Sequence, residues 1–133
     1  MNIVLDTNVF ISGVFFTGPP YQILKAWRDH RVQLVVSPEI FEEYRRIGEA
    51  LADQFPEVDP HPILDFLAAK AEWISDQILP EPVCDDPDDD KFLACAIASN
   101  CNVIVSGDKH LLNASGYRGV KVVRPRKFVD DYL

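Results

Sequence analysis

Carboxylates placed just after apolar runs are the residues of this chain best suited to chemistry. Asp6 closes the run Asn2-Ile3-Val4-Leu5, and Asp108 follows Val103-Ile104-Val105-Ser106-Gly107. An apolar run rich in β-branched residues reads as a strand buried on both faces. A carboxylate at the carboxyl end of a central parallel strand faces the crevice in which open α/β sheets bind ligands. A third group is the run Asp85-Asp86-Pro87-Asp88-Asp89-Asp90, which leads straight into the apolar segment Phe92–Ala98. Asp90 falls in the first turn of the expected helix, beside its positive end, and is adjacent to the apolar Phe92-Leu93 pair, so it is the favoured acid. Asp86, Asp88 and Asp89 read better as a solvated acidic loop with an N-cap. The fourth candidate comes from Glu39, Glu42, Glu43 and Glu49. At about 100° per residue, Glu43 lies at the edge of the apolar stripe of its helix, and Glu42 and Glu49 point nearly opposite to it.

Four carboxylates meeting in one place repel one another and are hard to keep ionised without cations. Oxygen-only ligands with no His or Cys motif nearby suit Mg2+ or Mn2+ rather than zinc. Such a centre activates water and stabilises a leaving oxygen in phosphodiester hydrolysis. Other chemistries fit less well. Asp86-x-Asp88-x-Asp90 starts like an EF-hand loop, but Lys91 stands where Gly is required and Ile97 where Glu is required. His30, His61 and His110 lack zinc-ligand spacing, and no GxSxG, Walker A or GxGxxG motif occurs. An aspartyl-phosphate phosphatase needs a second Asp two residues after the first, where this chain has Asn8.

The elements that must position these acids are legible from periodicity. Pro19-Pro20 opens a helix carrying Ile23, Leu24 and Trp27, after a loop over 13–20. Val32–Val36 is a strand, and Ser37-Pro38 starts a helix with Ile40, Phe41, Tyr44, Ile47 and Leu51 on one stripe. Asp59-Pro60 opens a helix through Ala71, Trp73–Ile78 reads as a further strand, and 79–89 as a loop rich in proline and aspartate. Asn102–Ser106 and Val120–Val123 are strands, His110–Ala114 is a short helix, and Pro125 opens a terminal one. Strands alternating with helices give a parallel sheet with right-handed crossovers.

The chain has 133 residues, 47% of them hydrophobic, which suits a single domain over 1–133. A net charge of −8 argues against broad attraction to nucleic acid, unless the acids are gathered in a metal site whose ions reverse the local field. Cys84, Cys95 and Cys101 form no CxxC pair and suit a reducing cytoplasm. No segment is apolar enough to span a membrane, and Asp6 interrupts any signal-like run.

Taken together, Asp6-Thr7-Asn8 after the first strand, Glu43 in the next long helix, Asp90 before a buried Ala-rich helix and Ser106-Gly107-Asp108 after a strand resemble the PIN-domain ribonucleases over nearly the whole chain. The closest resemblance is to the VapC-like toxins of toxin–antitoxin pairs. It implies a three-layer α/β/α sandwich with a central parallel sheet. It also implies an Mg2+- or Mn2+-dependent endoribonuclease acting on RNA, dimerisation, and inhibition by a small antitoxin. It assigns metal binding to Asp6, Glu43, Asp90 and Asp108, with Asn8 and Ser106 in support and Asp86 and Asp88 as looser matches. The phosphate contacts it calls for would come from Arg28, Arg31, Arg45, Arg46, Arg118, Arg124 and Arg126. The competing reading is a catalytically silent protein of the same fold that serves as a binding or scaffold module.

Overall fold

A central strand with two neighbours of very different sequence distance sets the architecture. In the computed structural model, which describes residues 1–133, β1 (Asn2–Leu5) pairs with β2 (Gln33–Val36) on one side and with β4 (Val103–Val105) on the other. The two outer strands are β3 (Glu72–Trp73) and β5 (Lys121–Val123), and every pairing is parallel. The resulting order, β3-β2-β1-β4-β5, reverses direction between β1 and β4. At such a reversal the crossovers leave to opposite faces, opening a crevice at the carboxyl ends of the two strands. Asp6 and Ser106-Gly107-Asp108 follow those two ends.

Seven α-helices complete an α/β/α sandwich: α1 (Thr7–Phe15), α2 (Pro19–Arg28), α3 (Pro38–Ala52), α4 (His61–Lys70), α5 (Asp90–Ala98), α6 (Lys109–Asn113) and α7 (Pro125–Tyr132). One core of 34 buried residues runs through the sheet and both layers. Start signals worked as expected. Ser37 caps α3, its hydroxyl accepting from the Ile40 amide at 3.3 Å, with Pro38 at the first helical position. Pro19-Pro20 and Pro125 likewise begin α2 and α7.

Two expectations fail. Residues 13–15 are not loop: α1 begins directly after Asp6 and runs to Phe15. Val9, Phe10, Ile11 and Phe15 are all buried there, so the helix is apolar nearly all round and shows little 3.6-residue contrast. The strand expected over 73–78 is only Glu72–Trp73. The Ile74 amide still bonds to Val36, but the chain then leaves the sheet, and the Asp76 carboxylate accepts from the Glu39 amide at 3.0 Å in the first turn of α3. Downstream, Pro80 and Pro82 have no amide proton to offer a ladder, and Ile78 is 96% exposed.

Candidate active site

Asp6 is 5% exposed and Ser106 is fully buried, which already sets the polar centre apart from surface acids. The Ser106 hydroxyl donates to Asp6 Oδ2 at 2.7 Å and accepts the Asp108 amide at 2.9 Å, so one side chain ties the ends of β1 and β4 together. Asp6 is also held by its own backbone: its amide donates to the Val105 carbonyl, and its carbonyl accepts from Val9 and Phe10 at the start of α1. Asp108 caps α6, with Oδ1 accepting from the His110 amide at 2.7 Å.

Glu43 reaches the same crevice from α3. Its side chain is 16% exposed, accepts from the Thr7 hydroxyl and pairs with Lys91 Nζ at 2.7 Å. The next residue, Tyr44, fixes the rotation of α3: it is buried, donates to the Leu5 carbonyl and stacks on Phe10 with ring centroids 4.3 Å apart. The register that points Glu43 inward is thus set by an aromatic pair at the strand-helix junction.

The acidic run divides differently from its expected roles. Asp90 is half-buried, and both of its oxygens are committed to the loop before it, Oδ1 to the Cys84 amide at 2.8 Å and Oδ2 to the Val83 amide at 3.2 Å. Asp86 is exposed and caps a 3-10 turn over Pro87–Asp89, accepting from the Asp88 amide at 3.0 Å. Asp89, expected to be solvated, is buried, and its Oδ2 is screened from water with no hydrogen-bond partner. Phe92, Leu93 and Ala96, all 1% exposed or less, stand three, four and seven residues beyond it, so Asp89 shares their helix face. A helical wheel drawn on those residues finds Asp89; the equally apolar Ala94 and Cys95 blur the stripe. Asn8 is exposed at the start of α1.

The electrostatics show which acids meet. Burial pushes the Asp6 carboxyl above its ordinary value; the Ser106 bond opposes this, and repulsion from Asp108 and Glu43 adds to it. Burial also pushes Asp89 up to about 6, with repulsion from Asp108, Asp6 and Asp86 adding and Lys91 opposing. Asp6 thus feels the charges of Asp108 and Glu43, and Asp89 those of Asp6 and Asp108, which places the four acids in electrostatic reach of the β1–β4 switch point. No three His, Cys, Asp or Glu side chains stand as a ready-made metal cage. The oxygen-only donors and the unpartnered, buried Asp89 Oδ2 fit a hard divalent cation.

Removing the Ser106 hydroxyl tests how tightly the two strand ends are coupled. Ser106→Ala leaves a buried Asp6 oxygen and the Asp108 amide each without their partner, and metal affinity should fall about 10–100-fold, the usual cost of losing a group that orients a ligand. Calorimetric titration with Mn2+ measures it; an unchanged affinity would show that Asp6 is oriented without Ser106.

Of the arginines, Arg45 is spent on Glu42 and Glu49, and Arg31 donates to the Leu133 carbonyl at 2.9 Å. Arg124, at the end of β5, is exposed and lies 3.5 Å from the Gly107 carbonyl, which places it beside the crevice. No helix is long and apolar enough to cross a membrane.

The profile of the family described as "PIN domain" matches residues 2–110. A protein of Methanocaldococcus jannaschii, described only as uncharacterized, is 29% identical over 146 aligned positions that span 99% of this chain and 92% of the relative. No solved structure matches the chain.

Proposed function

This chain belongs to the PIN-domain family, whose members are in general nucleases acting on nucleic acid, and we propose that it is an endoribonuclease dependent on Mg2+ or Mn2+. The observation that carries the proposal is the gathering of buried, mutually repelling carboxylates at the switch point of the sheet, with one oxygen left unpartnered. Neither a surface-binding module nor a stable core has reason to keep such a cluster, because each ionised member destabilises the fold.

Asp6, Asp108 and Asp89 are the acids proposed to hold the cation, with Glu43 facing them. Asp90 supports the loop instead of the ion, since its oxygens are already taken by Val83 and Cys84. A divalent cation held there would polarise the scissile phosphate, favour ionisation of an attacking water and offset the charge on the leaving oxygen. The protein's own part is orientation. Ser106 fixes Asp6, Thr7 fixes Glu43, and the helix starts after Asp6 and Asp108 hold both backbones rigid. Arg124, and Lys109 beside Asp108, are the exposed cations proposed to receive the phosphates of an RNA strand that the −8 charge otherwise repels. A toxin role, with a small antitoxin and a homodimer, is proposed on the VapC-like resemblance of the motifs.

The test is cleavage of RNA by the purified protein in Mn2+, with and without chelator, beside Asp6→Asn. Losing a metal ligand removes several kcal/mol of transition-state stabilisation, so the variant should be slower by on the order of 1000-fold. Cleavage that survives both the chelator and the substitution would remove the proposal. An intact protein that cuts no RNA would favour the scaffold reading.

A further inference from the structure

Lys91 is the only buried cationic residue in the molecule, and it is buried inside the acidic crevice. Its side chain is 5% exposed; Nζ lies 2.7 Å from Glu43 Oε2, 3.0 Å from Asp88 Oδ1 and 2.8 Å from the Asp88 carbonyl. Glu43 is correspondingly occupied: Oε1 accepts from Thr7 and Oε2 from Lys91. Asp89, two residues before Lys91 and also buried, has an oxygen with no partner at all. The two acids thus stand in opposite states, one satisfied by the protein and one open.

Taking the nuclease reading as its basis, we infer that Lys91 is a built-in monovalent cation that holds Glu43 off the metal, so that the crevice takes one divalent ion, on Asp6, Asp89 and Asp108, rather than two. A second divalent ion at Glu43 would have to sit against the ammonium or drive it out. The ammonium is held where it is by Glu43 on one side and by two contacts to Asp88 on the other. A second dication there would also stand a like charge directly beside the buried ammonium. Lys91 is a positioning residue in this scheme. It also ties the 3-10 turn that presents Asp89 to α3, so the Glu43 and Asp89 sides of the crevice move together.

The experiment counts Mn2+ ions on the full chain without RNA, by the loss of the free-ion paramagnetic resonance signal and by calorimetry. Wild type should bind one ion. Glu43→Gln should still bind one, with affinity changed by less than about tenfold. Lys91→Arg should keep one, and Lys91→Met should take up a second, which disappears again when Glu43→Gln is added. Two ions on wild type, a loss of about tenfold or more in Glu43→Gln, or a single ion on folded Lys91→Met would each overturn the inference and leave the nuclease reading standing. No Mn2+ binding by wild type would overturn both. Should Lys91→Met fail to fold, the wild-type count and the Glu43→Gln affinity still decide the matter.

Discussion

Asp89→Asn should make the metal-free protein more stable and at the same time abolish Mn2+ binding and RNA cleavage. Its carboxyl titrates at about 6 in the fold against 3.8 ordinarily, because burial and the charges of Asp108, Asp6 and Asp86 outweigh the help of Lys91. A raised carboxylate pKa means that ionisation costs the folded state more than the unfolded one. Below the unfolded value both states are protonated and the substitution is neutral. Between the two values wild type progressively loses stability as pH rises, and above about 6 the whole penalty is present. At neutral pH the gain on substitution is on the order of 1 kcal/mol once solvent screening is allowed for, a thermal midpoint about 4 °C higher. Wild type should recover more than this when Mn2+ is added, by about 2.7 kcal/mol at a hundred times the dissociation constant, and the variant should recover nothing. Asp90→Asn should do the reverse. It puts an amide donor against the Val83 or Cys84 amide, costs about 1–3 kcal/mol, and leaves Mn2+ binding in place. Thermal unfolding across pH 3 to 8, with and without Mn2+, separates the two; stabilisation by Mn2+ in Asp89→Asn as large as in wild type would move the ion elsewhere.

A second stability effect is expected at Gly13, where α1 crosses α2. A Cβ built there lies 2.7 Å from Leu24 Cδ1 and 2.9 Å from Leu24 Cγ, which a rotamer change could relieve, but also 2.8 Å from the Pro20 carbonyl. That oxygen belongs to the first turn of α2 and moves only with the helix. Alanine is the better helix former by about 1 kcal/mol, yet overpacking costs about 1–3 kcal/mol, so Gly13→Ala is destabilising on balance and Gly13→Val more so. Because α1 begins at Asp6, separation of α1 from α2 should also reduce Mn2+ affinity at temperatures where the variant is still folded. Urea unfolding should show the midpoint falling in the order Gly, Ala, Val; a midpoint raised by alanine would mean that α2 yields easily.

These two positions also mark where the sequence was hard to read. Strands β1, β2, β4 and β5 and helices α2 to α7 announced themselves through apolar runs, prolines and the Ser37 cap. Gly13 looked like the start of a loop because glycine usually interrupts helices; it is helical here because the crossing leaves no room for a side chain. The first helix carried only Asn8 and Ser12 on its open side, too few polar residues to make its period visible. At the site, Asp6, Asp108 and Ser106 could be placed because a strand end fixes direction. Asp89 and Asp90 differ by one residue, about 100° on a helix, and nearness to Phe92 favoured the wrong neighbour of the pair for burial. Lys91 gave no sign at all: a lysine in an acidic run reads as solvated, and only the approach of α3 encloses it.

The pairing of β1 with both β2 and β4 carries a consequence for biosynthesis. The bond between Ser106 and Asp6 spans 100 residues of chain, and β4 leaves the ribosome after all but the last of the strands. Asp6, Glu43 and Asp89 must therefore wait in a nascent chain that has no β1–β4 ladder, and such long-range closure is slow. On the nuclease reading, the acids proposed to hold the cation come together only after β4 has been synthesised and paired with β1.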